Sequence, residues 1–178
     1  MFKQVILVDV VFLRAAKRQA KRYGANCKNA DITGAMESIY RDEPSELPHV
    51  IPELIFETEP DLVISLNLLS QLPIIPRQWL SARGYHEQAI NDFCMHIQQS
   101  HLDYLKKFTS AICITDSAIK ICCEDGEVLY EQPLLDELAL PLRSKEWEWD
   151  IAPIPEMDKY TARRHRVKLF DFTPRQAL

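Results

Sequence analysis

The sequence predicts an α/β domain of the doubly wound kind, with a mostly parallel sheet that ends in an antiparallel strand pair. Three observations carry this expectation. Short continuous apolar runs, Lys3 to Val8 and Asp61 to Asn67, have the composition of strands covered on both faces. Stretches with apolar residues at helical spacing alternate with such runs. Two late segments alternate apolar and polar residues over a strand length with no helix between them, the pattern of antiparallel neighbours.

Lys3 to Val8 opens the chain as a strand, and Asp9 closes it. A basic helix follows over Phe12 to Tyr23, where Ala15, Ala16 and Ala20 sit among Arg14, Lys17, Arg18, Lys21 and Arg22. Gly24 then stands where a capping glycine belongs. At helical spacing those cations read as a solvated face. Asn26 to Ala30 predicts a second short strand, ending at Asp31 and the Thr33 to Gly34 turn. Met36, Ile39 and Tyr40 mark one or two helical turns. Pro44, Pro48 and Pro52 make the stretch from Arg41 to Phe56 a surface connection.

DLVISLN, at Asp61 to Asn67, is the clearest strand, and the Pro73 to Pro76 segment breaks the chain after it. Gly84 to Phe108 predicts one amphipathic helix, with Ile90, Phe93, Cys94, Ile97, His101, Tyr104, Leu105 and Phe108 on its apolar side. Ala111 to Thr115 is a further strand, ended by Asp116. Ile119 to Cys123 and Val128 to Tyr130 form a hairpin around Asp125 and Gly126. Leu134 to Leu142 is short and bounded by prolines, and its pattern predicts neither helix nor strand. Trp147 to Ile151 and Arg166 to Phe172 are the antiparallel pair at a sheet edge, separated by Pro153 and Pro155.

With 178 residues, 47% hydrophobic and 26% charged, the chain fits a single globular domain over 1–178. A net charge of -5 argues against a general nucleic-acid partner, whose binding draws on Lys and Arg. Cys27, Cys94, Cys113, Cys122 and Cys123 are odd in number with no CxxC spacing, so neither a disulfide framework nor a zinc site is expected, and a reducing cytoplasm fits best. No leader pattern and no apolar run of about 20 residues indicates a membrane.

Asp9, Asp31, Asn67 and Asp116 all close expected strands, and in open α/β sheets ligands bind beyond the strands' carboxyl ends. A carboxylate there can accept two hydrogen bonds from a ribose diol, and its neighbour can accept one from an exocyclic amine. The alternative at each position is a helix cap or turn. His96 and His101 are five apart, which places them on different helix faces, so no metal is expected. Ser65 and Ser70 lack the glycines of a nucleophile elbow. Trp147 and Trp149 share one strand face, which is core if covered and an interface anchor if exposed.

VILVDVVFLRAAKRQAKRYG, NADITG and PDLVISLNLLSQLP resemble the second, third and fourth strand regions of class I S-adenosylmethionine-dependent methyltransferases. WEWDIAPIPE and HRVKLFDF are similar to that family's closing strands. The resemblance covers most of the chain and implies a Rossmann-like fold whose first strand, with its Gly-rich loop, is missing. That strand lies between the ones expected at Lys3 to Val8 and Leu62 to Leu66. By the same resemblance Asp9 would hold the cofactor's ribose, with Val10 beside it also at the cofactor, Asp31 and Ile32 would hold its adenine, and Asn67 and Leu68 would face the methyl donor and substrate. Gly24, Gly34, Gly84 and Gly126 are too dispersed to form the absent loop. The expectation is a methyltransferase-like protein that is truncated or inactive as printed. The alternative is a non-enzymatic binding or scaffold module able to form a homo-oligomer through a sheet edge.

Overall fold

The computed structural model describes residues 2–42, 44, 46–48, 56, 58–135, 138–141 and 144–173. Part of the expected Arg41 to Phe56 connection and of Leu134 to Leu142 lies outside the described residues. Strand β1 (Val5–Asp9) is followed by helix α1 (Arg14–Arg22) and strand β2 (Ala25–Asn29). β1 and β2 pair in parallel from Val5 opposite Ala25 to Asp9 opposite Asn29. Gly24 makes the turn between α1 and β2 at φ +70°, a conformation that costs glycine least. All of α1 except Ala20 is exposed, so its basic residues are a solvated face as expected.

Helix α2 (Met36–Asp42) leads toward strand β3 (Val63–Leu66), helices α3 (Ile74–Ala82) and α4 (Glu87–Leu105), and strand β4 (Ala111–Cys123). Strands β5 (Val128–Pro133), β6 (Ser144–Ala152) and β7 (Thr161–Asp171) complete the chain. β3 and β4 run parallel, whereas β5 and β7 pair antiparallel to β4 and β6 pairs antiparallel to β7. The result is α/β with two sheets, a parallel pair β1-β2 and a mixed sheet β3-β4-β7-β6, with β5 added to the side of β4.

Four expectations change. The larger sheet is mainly antiparallel, because β4 continues far beyond β3 and its extension pairs with β5 and β7. Asp116 does not end a strand: β4 runs on for 13 residues, and a register shift between Asp116 and Ala118 takes up the extra residue as a bulge. Pro73 to Pro76 does not break the chain. Helix α3 begins at Ile74, and Pro76 lies in its first turn, where a missing N–H breaks no intrahelical bond. The last strand begins earlier than expected, at Thr161, and lies inside the sheet, leaving β6 as the edge.

The core forms around α4. One side packs Ile90, Phe93, Cys94 and Ile97 against Ala35, Ile39, Leu72 and Leu80. Further along, Leu102 and Leu105 pack with Leu69, Ala111, Cys113 and Phe170 beneath the sheet. The sheet's other face is open, with Leu66 68% exposed and Ile64, Trp147, Trp149 and Ile151 also exposed. Val5, Ile6 and Leu7 are exposed as well, although an apolar parallel strand normally has both faces covered.

Candidate functional site

Of the expected site residues, Asn67 and Asp116 come together at one recess of the larger sheet, while Asp9 ends a strand of the smaller sheet. Asp9 and Asn29 end β1 and β2 as opposite partners. Beside them, Asn29 donates from Nδ2 to the Val10 carbonyl at 2.9 Å, which fixes the chain as it leaves β1. The Asp9 carboxylate is exposed, and no hydrogen bond or ion pair engages it among the described residues. Val10 is exposed beside it.

Asp31 is held differently. Its Oδ1 accepts from the Thr33 N–H at 2.9 Å and the Thr33 hydroxyl at 2.7 Å, and its Oδ2 accepts from the Met36 N–H at 2.8 Å. It therefore binds the first N–H of α2 and shapes the turn before it, the capping alternative available to such a residue. Ile32 is buried and Leu68 packs against the α3–α4 core, so both side chains serve packing.

Asn67 ends β3 in the left-handed region at φ 51°, a conformation asparagine tolerates better than most residues. Its N–H donates to the Ile114 carbonyl at 2.6 Å, extending the ladder to β4 by one residue. The following loop is fastened by the Ser70 N–H donating to Thr115 Oγ1 at 3.1 Å and by Gln98 Nε2 donating to the Leu69 carbonyl at 3.0 Å. Asn67 Oδ1 is buried and without a hydrogen-bond partner among the described residues. Asn67 as a residue lines a recess of about 370 Å³ together with Leu66, Ile114, Asp116, Trp147 and Trp149.

Asp116, displaced from a strand end by the bulge, still faces this recess because β4 continues past β3. His165 Nδ1 lies 2.9 Å from Asp116 Oδ2 without meeting hydrogen-bond geometry, so proximity rather than a directed N–H bond relates the two. Sequence reasoning missed this pair, since it exists only through the antiparallel register of β4 and β7. It also missed the buried contact of Ser65 Oγ with His101 Nε2 at 2.8 Å. Both residues are buried on the α4 side of β3, which makes them part of the packing.

The β4–β5 turn brings Cys123, Asp125 and Glu127 within 4.8 Å. The turn's own bonds account for that grouping: Asp125 Oδ1 accepts from Cys123 Sγ at 2.8 Å and from the Glu127 N–H at 3.1 Å. The bond to Asp125 raises the Cys123 thiol's pKa, which favours a protonated donor over a thiolate ligand.

Comparison of the chain with family models, with curated proteins and with solved structures gives no match. None of the described helices is long and apolar enough to cross a membrane.

Proposed function

We propose that this chain is the framework of a Rossmann-like, S-adenosylmethionine-dependent methyltransferase domain that retains the adenosine half of its cofactor site. The observation that carries the reading is where the sheet divides. Among the described residues no strand joins β1 to β3, and the family resemblance places a central strand at that point. One parallel strand there would give the order β2-β1-X-β3-β4-β7-β6, with X the added strand. Asp9, Asp31 and Asn67 would then share a carboxyl-terminal rim.

Within that frame Asp9 is the ribose ligand, since its carboxylate is exposed and uncommitted. Asp31 already accepts three hydrogen bonds, so at most one further lone-pair site remains for an adenine amine, out of the roughly four a carboxylate has. The residues thus fit an adenosine moiety. They do not fit the cofactor's amino-acid end: Gly24, Gly34, Gly84 and Gly126 all serve separate turns, each at positive φ. Methyl transfer by these residues alone is accordingly weak or absent. Calorimetric titration with S-adenosylhomocysteine tests the proposal. Binding that falls about 5- to 150-fold in Asp9→Ala, the effect of losing roughly 1–3 kcal/mol of hydrogen bonding, supports it. No binding at millimolar ligand, or no change in that variant, overturns it.

The exposed apolar edges at β1 and β3 favour a second reading, a non-enzymatic module that pairs with another chain. Here the same residues would show self-association and no nucleoside affinity.

A further inference from the structure

The open face of the larger sheet is not uniformly apolar. At the end of β3 it deepens into the recess lined by Leu66, Asn67, Ile114, Asp116, Trp147 and Trp149. Trp147 and Trp149 are two apart on β6, opposite Val167 and His165 of β7, so both indoles lie on the recess side. They are 42% and 56% exposed, which leaves ring surface free for a ligand. Asp116 contributes a carboxylate that is itself 9% exposed.

Among the lining groups, the indole faces and the carboxylates of Asp116 and Glu148 attract positive charge. Indole faces carry the negative end of the ring quadrupole, and carboxylate oxygens accept. None of the residues lining the recess is Lys or Arg. Nearby cations pair with acids, Lys120 with Glu148 at 2.6 Å, Arg164 with Asp150 at 2.7 Å and Arg166 with Glu131 at 2.9 Å, and the basic group beside Asp116 is the His165 imidazole, whose Nδ1 lies 2.9 Å from Asp116 Oδ2. The fold uses the same chemistry elsewhere, placing the Arg83 guanidinium carbon 3.6 Å from the Trp79 ring centroid.

We propose that this recess binds a small organic cation, an alkylammonium or methylated ammonium group, over Trp147 and Trp149 with its charge directed to Asp116. Its volume, about 370 Å³, is at the small end of the range for ligand pockets, roughly 300–1,000 Å³. The inference rests on the methyltransferase reading for its meaning: it gives the chemical class of the molecule held beside the donor end. The binding itself needs no cofactor.

The test follows the tryptophan indole N–H resonances of the ¹⁵N-labelled full chain during titration with tetramethylammonium chloride. Sodium chloride at equal ionic strength and the neutral isostere tert-butanol are the controls. Saturable shifts at Trp147 and Trp149, with Trp79 unmoved and tert-butanol without effect, support the proposal. Trp149→Ala should weaken binding about fivefold, the usual scale of one cation–π contact. Asp116→Asn should weaken it further. Because Asp116 is buried, the exposed Trp149 variant keeps the test valid should the other fail to fold. An equal response to tert-butanol, movement of all three indoles together, or no saturable shift overturns the inference. Loss of cation binding with S-adenosylhomocysteine binding intact removes this inference alone, and the reverse result removes only the methyltransferase reading.

Discussion

His101 lies between α4 and β3 at 3% exposure, in contact with Ser65 through Nε2 and with no hydrogen-bond partner at Nδ1 among the described residues. Burial disfavours the charged imidazolium and pushes its pKa down from 6.5 to about 4. The unfolded chain therefore takes up this proton first as pH falls. The stability that neutral His101 contributes is complete above pH 6.5 and is lost progressively toward pH 4, on the order of 3 kcal/mol in all. Urea unfolding at pH 7 and pH 4.5 should show that loss, and His101→Gln should flatten the difference. An unchanged pH dependence in the variant would remove His101 as its source. Asp9 gives the opposite case: exposed and unpartnered, its change to Ala should leave the unfolding midpoint unmoved. The two residues also differ in legibility. Asp9 and Asn67 were visible as polar residues closing apolar runs, a local signal. The Ser65–His101 contact joins positions 36 apart, and nothing local in either segment encodes it.

At the scale of elements, α2 shows how one carboxylate defines a boundary. Asp31 reaches past the turn to the Met36 N–H while also holding Thr33, so a helix of 7 residues starts without a capping side chain of its own at position 35. Asp31→Ala should destabilise the fold by about 1 kcal/mol, and Asp31→Asn, which keeps an acceptor, by clearly less. Equal losses in the two variants, read from denaturation midpoints, would mean that charge rather than capping matters. The elements that sequence analysis misjudged share one cause. Pro76 and Asp116 are strong local breakers, and each sits where its disruptive property is harmless, Pro76 in the first turn of α3 and Asp116 at a bulge in β4. The basic helix, the α4 periodicity and the closing strand pair were legible because their apolar residues repeat at the element's own period.

For the whole molecule, exposed strand edges are the distinguishing feature. Among the described residues two apolar parallel strands, β1 and β3, are each paired on only one side, with Ile6 and Ile64 exposed near their centres. Unpaired backbone groups beside exposed apolar side chains form a template for another strand, and a lysine in the middle of such an edge is the usual block. Light scattering coupled to size-exclusion chromatography should therefore show concentration-dependent self-association of the purified chain. The double variant Ile6→Lys with Ile64→Lys should shift it to monomer. Tyr130→Lys should change little, because β5 already carries Glu131 and ends in Pro133, features that discourage edge pairing. Monomeric behaviour at every concentration, or equal loss of association in the Tyr130 variant, would show that β1 and β3 are not the associating edges.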